Sequence, residues 1–185
     1  MTDLPPECDV GFKEWAGVVA ALASGEQTLI LRKGGIAEDG GAFRPEHRVF
    51  WLYPTRLHEA EQGLRVPVPT SPPPADPAVV PIRSLAVVDS IRRVEREDDL
   101  DALEPFHVWT AETVRKRFHY RRPGLWALGV RVWSRPEAVE IVPTPEQLGC
   151  KTWVWLDAPI ATAGLTPALG EDAWEELRAR LAARF

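Results

Sequence analysis

Two apolar segments decide the fold: Leu29-Ile-Leu-Arg-Lys-Gly-Gly35 and Glu46-His-Arg-Val-Phe-Trp-Leu-Tyr-Pro-Thr-Arg-Leu-His58. Branched and aromatic side chains bounded by glycine or proline are typical of short strands, so we predict strands over 28–32 and 48–53. Because a glycine- and aspartate-rich loop at 34–41 separates them, we expect them to pair as a hairpin. Cations, glycines and imidazoles stand at the ends of both segments, which is the composition of a binding or catalytic site.

The composition is that of an ordinary globular protein. The chain has 185 residues, 45% of them hydrophobic and 26% charged, which is enough to build a core without disulfides. The net charge of −5 argues against a protein that coats nucleic acid with its whole surface. Two cysteines, Cys8 and Cys150, do not form a zinc cassette and are expected to be reduced. The sequence offers neither a membrane span nor a leader peptide, so we predict a cytoplasmic protein without membrane association.

Hydrophobic periodicity predicts three helices and further strands. Apolar residues over 12–23 recur at helical spacing and stop at Gly25, which predicts the first helix. Thr110 is expected to cap a second helix over 111–118. The remaining predicted elements are a strand-like segment over 81–96, a hairpin of 124–133 and 138–142 that turns at Arg135 and Pro136, a strand over 151–157 and a closing helix over 171–185.

These elements predict an α+β fold with a mixed, largely antiparallel sheet or partly closed barrel, flanked by about three helices. A single domain is expected to span residues 1–185, with the proline-rich residues 66–81 as a surface connection. Most of the eight tryptophans are expected to pack in the core, and both faces of the strand that carries Trp153 and Trp155 are expected to be covered. Seven strand residues should share that core: Leu29, Leu31, Phe50, Leu52, Val130, Val132 and Val154.

The chain resembles the family catalogued as domain of unknown function 1802. The blocks that carry the resemblance are Phe12–Trp15, Leu31–Ile36, Glu46–Thr55 with His58, and Gly149–Val154. They span nearly the whole chain, although Glu59 stands after His58 where the family pattern has glutamine. The family has no assigned activity, but the resemblance implies an association with restriction-endonuclease-like domains, and thus with work on nucleic acid or in defence.

A candidate anion site lies at the end of the first strand. Arg32 and Lys33 supply two cations, and Gly34 and Gly35 let backbone N–H groups approach a phosphate or carboxylate closely. Since no complete phosphate-binding motif is present, these residues are alternatively a strand end followed by a loop. The blocks of the resemblance contain three further candidates for ligand binding, Lys13, Tyr53 and Lys151.

Three residues make up a candidate catalytic set, Glu14, His47 and His58. A histidine beside a carboxylate is the smallest general-base unit, so a hydrolase or nuclease is the alternative function. The two histidines bracket one strand and would lie about 20 Å apart in an extended chain, which argues against a shared metal ion. Either histidine could instead be a buried or sheet-edge residue without a catalytic role.

The strongest electrostatic feature is the basic segment at 115–122. Arg115, Arg117, Arg121 and Arg122 are interleaved with aromatic residues, a pattern typical of surfaces that bind single-stranded nucleic acid. These arginines are expected on an exposed face. The alternative is that they pair with the acidic residues of 97–104.

We therefore predict a binding module for nucleic acid or a phosphorylated ligand. The rival hypotheses are the hydrolase or nuclease and a non-catalytic subunit that docks a partner protein. The sequence predicts neither a cofactor nor a metal site.

Overall fold

The computed structural model describes residues 3–33, 43–55, 63–65 and 78–184. Gly34, Gly35, His58 and most of the predicted connection at 66–81 lie outside the described residues. Seven strands are present in the described part: β1 (Glu7–Trp15), β2 (Leu29–Arg32), β3 (Val49–Thr55), β4 (Val80–Val94), β5 (Leu125–Ile141), β6 (Trp153–Ala161) and β7 (Thr166–Pro167). The α-helices are α1 (Ala16–Ser24), α2 (Ala111–His119), α3 (Pro145–Leu148) and α4 (Glu171–Ala182), and two 3₁₀ turns cover Glu97–Asp99 and Asp101–Phe106.

The strands form one open sheet in the order β2-β5-β4-β3-β1-β6, and β7 pairs with β5. The β1–β3 pair is parallel, whereas the other pairs of named strands are antiparallel. This arrangement confirms the predicted α+β class with a mixed, largely antiparallel sheet. The sheet does not close, so it is the open form of the prediction and not the barrel. Within the described chain, no helix is long and apolar enough to cross a membrane.

The predicted hairpin between the first two segments is wrong. Strand β2 pairs with β5 at the sheet edge, whereas β3 lies between β1 and β4. Both segments are apolar strands, as predicted, but the chain between Arg32 and Val49 is much longer than the two- to five-residue loops that fix a hairpin register. The positions of β2 and β3 in the sheet are therefore set by pairing with strands that are distant in the sequence.

The predicted first helix is wrong in its first half. Residues Glu7–Trp15 form β1, and α1 begins only at Ala16. Short apolar runs do not distinguish a strand buried on both sides from a helix, and β1 lies between β3 and β6. The helix ends as predicted at Gly25, whose left-handed φ of 78° needs glycine. Lys13 and Glu14 are consequently strand residues and not part of a helical first turn.

The predicted hairpin over 124–142 is also wrong, because β5 runs through it as one strand of 17 residues. The register between β4 and β5 shifts between Ile82 and Ser84, where Ser84 pairs with Ser134 and Ile82 pairs with Val139. The extra residues on β5, which include Pro136, lie in this irregularity. A bulge tolerates proline, which has no backbone N–H, because the ladder needs no donor at that position.

The core lies along the sheet and under the helices. All seven predicted strand residues are buried, which confirms that prediction. Seven of the tryptophans are buried or half-buried, but Trp155 is 61% exposed. The expectation that both faces of β6 are covered is therefore wrong, because the face of β6 opposite to the buried Val154 and Leu156 is open at Trp155 and Asp157.

Candidate functional site

The ends of β1, β2 and β3 meet at one end of the sheet. Lys13 pairs in register with Tyr53 across the parallel strands, and Glu14 pairs with Pro54. From β2, Arg32 donates to the Lys13 carbonyl at 3.1 Å and forms an ion pair with Glu14 at 3.5 Å. The structure thus brings together four of the predicted site residues, Lys13, Glu14, Arg32 and Tyr53, which we call the strand-end cluster.

Glu14 acts as a counterion in this cluster. Its side chain is 1% exposed, and one carboxylate oxygen accepts the backbone N–H of Trp15 at 2.9 Å. Arg32 is further fixed by a 3.0 Å hydrogen bond to Thr152 Oγ1 and lies 5.0 Å from the centroid of the Phe12 ring. Glu14 is therefore matched by a cation and a backbone donor.

His47, the histidine of the predicted catalytic set that the structure describes, makes no hydrogen bond or ring contact with the strand-end cluster within the described residues. The His47 ring packs edge-on against Trp153 and Trp155, with ring centroids 4.9 and 5.4 Å apart. His47 and Glu14 share no hydrogen bond in the described part of the chain, and His58 lies outside it. A catalytic role for this set stays a prediction.

Arg117 extends the cluster from α2. Its guanidinium lies between the indoles of Trp15 and Trp109, 4.2 and 4.7 Å from the ring centroids, and donates to the Leu31 carbonyl at 3.1 Å. Burial lowers its pKa to about 10, against the opposing effect of Glu14, so it remains a cation at neutral pH. The expectation that Arg117 is exposed is wrong, because its position three residues after the buried Val114 turns it toward the sheet.

Charge is unbalanced around these residues. Arg32 and Arg117 are two cations, and Glu14 is the acidic side chain among the described residues that interacts with them. Partly buried cations are stabilised by opposite charge. An anionic ligand would supply it.

On the outer face of α2, basic side chains pair with acidic residues, which is the alternative prediction for the segment 115–122. Arg115 pairs with Glu97 and Asp101, at 3.5 and 2.7 Å. His119 pairs with the same Glu97 at 2.7 Å, and Lys116 pairs with Glu112 one turn away. Several of these cations are thus matched by acidic residues on the surface.

Lys33 fastens the loop that follows α2. Its Nζ donates to the Phe118 carbonyl at 2.9 Å and to the carbonyls of Arg122 and Gly124. Its pKa is lowered by burial and by the nearby charge of Arg93. With three acceptors around its ammonium, Lys33 holds the loop in place. We call residues 120–124 the presenting loop.

The presenting loop displays an aromatic ring and two cations. Tyr120 is 44% exposed, and the Arg121 guanidinium lies 5.3 Å from the centroid of its ring. Arg121 has a left-handed φ of 63°, which is rare for a residue with a side chain. Neither Arg121 nor Arg122 has an acidic partner among the described residues. The presenting loop is therefore fixed by Lys33 and exposes the positive charges of Arg121 and Arg122.

An open cavity of about 480 Å³ lies between this loop and the start of α2. It is lined by Gly63, Thr110, Glu112, Thr113, Lys116, Arg117 and Tyr120. The Thr110 side chain caps α2 by accepting the Thr113 N–H at 3.3 Å, as predicted. A basic residue, Arg117, and an aromatic residue, Tyr120, thus line the same cavity.

The remaining predicted residues lie beside the far side of β1. Lys13 Nζ donates to the Gly149 carbonyl at 2.6 Å, and the neighbouring Cys150 is exposed. Lys151 is exposed and pairs with Glu146 at 3.2 Å. In the part of the chain that the structure describes, no group of three or more His, Cys, Asp or Glu side chains could hold a metal ion.

The chain matches the model of one protein family over most of its length. The model of the domain of unknown function DUF1802 matches residues 11–180. The chain belongs to this family. The match covers all the residues of the strand-end cluster as well as the presenting loop. No curated protein matches the DUF1802 chain at a significant level.

Solved structures similar to this DUF1802 chain include the ASCH protein of Zymomonas mobilis. The unmutated protein has 13% identity and a TM-score of 0.44, covering 92% of this chain and 93% of that one. Two point mutants of it have TM-scores of 0.46 and 0.45 at 13% and 12% identity. The alignment with the first mutant covers 95% of this chain and 98% of the mutant chain. The alignment with the second covers 92% of this chain and 96% of the mutant chain.

Proposed function

We propose that this protein binds single-stranded nucleic acid in the cavity beside α2, with Arg117 contacting a phosphate group. The observation that carries the proposal is Arg117, which lines an open cavity and whose guanidinium is held by two indoles. Of its five N–H donors, one is used by the Leu31 carbonyl, and no other acceptor is found for it among the described residues. The remaining donors are available to a ligand.

Arginine suits phosphate because its planar fork matches two oxygens at once. The flanking rings of Trp15 and Trp109 fix that plane before a ligand arrives, so little side-chain entropy is lost on binding. The excess of cations around Glu14 also favours an anion here. A neutral ligand would leave this charge unmatched.

The presenting loop supplies the second half of the interface. Tyr120 offers an exposed face for base stacking, which does not depend on base identity. Arg121 and Arg122 are placed to follow the backbone of the same strand. The net charge of −5 is compatible with this, because Glu97 and Asp101 are paired with Arg115 on the outer face of α2, away from the positive residues of the loop.

The proposal is tested by anisotropy titration of a labelled 12-nucleotide oligonucleotide. Wild type is compared with Arg117→Met, and Arg115→Met is the matched control because Arg115 is already paired with Glu97 and Asp101. We expect Arg117→Met to weaken binding about tenfold or more, since a charge-assisted hydrogen bond is lost. Arg115→Met should change the affinity by about twofold or less. Equal losses in both variants would argue against a specific phosphate contact.

Arg117→Lys separates charge from shape. It keeps the cation but removes the planar fork and most of the stacking on the indoles. We expect this variant to bind more weakly than wild type. An association with restriction or defence systems and a cytoplasmic location accompany the proposal as predictions from the sequence.

A further inference from the structure

Lys13 and Tyr53 face each other on a second side of the sheet. They are register partners in the β1–β3 pair, and successive strand residues alternate, so they lie opposite to the Glu14 face. Lys13 Nζ is 5.7 Å from the centroid of the Tyr53 ring. Both residues are buried, with exposures of 8% and 2%.

Both side chains carry hydrogen-bond donors without acceptors. The Tyr53 hydroxyl is buried and has no hydrogen-bond partner among the described residues. The Lys13 ammonium donates to the Gly149 carbonyl, which leaves two of its three N–H donors unmatched within the described residues, and no described carboxylate pairs with it. Buried polar groups are nearly always satisfied, so unmatched donors on two neighbouring side chains indicate a missing acceptor.

The protonation states agree with this reading. Burial raises the pKa of Tyr53 to about 12, so its hydroxyl keeps its proton and can donate at neutral pH. Burial lowers the pKa of Lys13, because it removes the ammonium partly from water. An anion would compensate that charge and accept from both groups.

Gly11 lies beside the Tyr53 ring. A Cβ at Gly11 would lie 2.8 Å from Val154 Cγ2 and 3.5 Å from Tyr53 Cδ2. The absent side chain therefore lets the tyrosine ring lie close against β1. The ring orientation is built into the sheet and does not depend on a ligand.

We propose that Lys13 and Tyr53 form an oxyanion-binding site that takes the phosphate or carboxylate group of a small ligand. The ammonium supplies charge and two donors, and the phenol supplies one directed O–H donor. The exposed segment 149–151 lies next to Lys13 Nζ and gives the approach, with the Lys151 cation on the surface. The proposal stands apart from the cavity at Arg117 and does not rest on it.

The chain contains two tyrosines, Tyr53 and Tyr120, which makes the test selective. Tyrosine labelled with ¹³C at Cζ gives two signals, assigned with Tyr53→Phe and Tyr120→Phe. Inorganic phosphate and acetate are titrated separately against sodium chloride of equal ionic strength. We expect a saturable shift of the Tyr53 signal with one of the two anions, which identifies the ligand chemistry, and no such shift of Tyr120.

Lys13→Met should weaken this response about tenfold or more, because it removes the charge and all three donors while keeping the length of the side chain. Arg117→Met should leave the response intact, so a failure of the nucleic-acid proposal would not be confused with a failure of this one. A Tyr53 signal that responds to neither anion, or that responds equally in Lys13→Met, overturns the proposal.

A second readout holds even if Lys13→Met does not fold. The anion that shifts Tyr53 should raise the melting temperature of wild type and of Tyr120→Phe, since it binds only the folded state. Tyr53→Phe should lose most of that increase. An equal increase in Tyr53→Phe contradicts a contact with the hydroxyl.

Discussion

Lys33 Nζ donates to the carbonyl of Phe118 at 2.9 Å, linking the end of β2 to the last turn of α2. The same ammonium also binds the carbonyls of Arg122 and Gly124, so one side chain holds both ends of the presenting loop. The position of Tyr120 and Arg121 therefore depends on a residue that need not touch the nucleic acid. This relationship leads to the first prediction.

Lys33→Met should lower the free energy of unfolding by about 1–3 kcal/mol, because carbonyl groups in a partly buried place lose their donor. It should also weaken oligonucleotide binding by loosening the presenting loop. Urea unfolding and amide exchange of residues 120–124 measure the two effects. Lys116→Met is the control, since Lys116 forms an exposed pair within α2. Unchanged exchange in the loop would show that Lys33 does not hold it.

His107 should make stability depend on pH in the acidic range. Burial, followed by the charges of Arg65 and Arg117, lowers its pKa from 6.5 to about 4. The unfolded chain therefore binds a proton more readily than the folded one, so stability is full above pH 6.5 and falls as the pH drops toward 4. A shift of this size corresponds to about 3 kcal/mol.

Urea unfolding of wild type and His107→Leu at pH 7 and pH 4.5 measures this contribution. The variant should lose much less stability between the two pH values than wild type does. His119→Gln is the matched control because His119 is exposed and paired with Glu97. Equal pH dependence in wild type and His107→Leu would contradict the assignment to His107.

The pair of Arg131 and Glu171 should control docking of α4. Two parallel hydrogen bonds of 3.1 and 2.7 Å join the guanidinium on β5 to the carboxylate in the first turn of the helix. The hydrogen bond from Arg131 lowers the pKa of Glu171, so its contribution is present above the usual carboxyl pKa and is lost as the pH falls through the lowered value.

Glu171→Gln should lower the protection factors of the amides in 171–182 at neutral pH and abolish the further loss of protection that acid produces in wild type. Exchange measured by mass spectrometry at neutral and acidic pH tests both parts. Glu175→Gln serves for comparison, because Glu175 contacts Arg178 within the same helix. If Glu171→Gln kept the acid response of wild type, another group would be responsible.

Gly11→Ala should destabilise the sheet by about 1–3 kcal/mol through overpacking. The added methyl group would lie 2.8 Å from Val154 Cγ2. Combining it with Val154→Ala should recover part of that loss, which a double-mutant cycle in urea measures. Strict additivity of the two substitutions would contradict the close contact.

Much of the fold could be predicted because it depends on local patterns. Thr110 caps the start of α2 and Gly25 ends α1, and both roles can be predicted from the residue type alone. The seven predicted core residues are apolar and lie in strands bounded by turn residues, and all are buried. The pairing of β2 with β5 could not be predicted, since it joins segments almost 100 residues apart through burial shared by the whole sheet.

The candidate site was predicted in parts. Glu14 and Arg32 were both named, but their contact required β1 to be a strand, and its short apolar run also fits a helix. Arg115 and Arg117 look alike in the sequence, yet one is paired at the surface and the other lies between two indoles. The spacing of Arg117 from Val114 was the available signal, because residues three apart share a helix face.

The salt dependence of oligonucleotide binding tests the central claim most directly. For single strands, each phosphate contact contributes about 0.7 to the slope of log affinity against log salt concentration. We predict that wild type binds at low salt, that Arg117→Met lowers the slope by about that amount, and that Arg115→Met leaves it unchanged. A wild-type protein that does not bind at low salt, or a slope that Arg117→Met does not alter, would contradict the account.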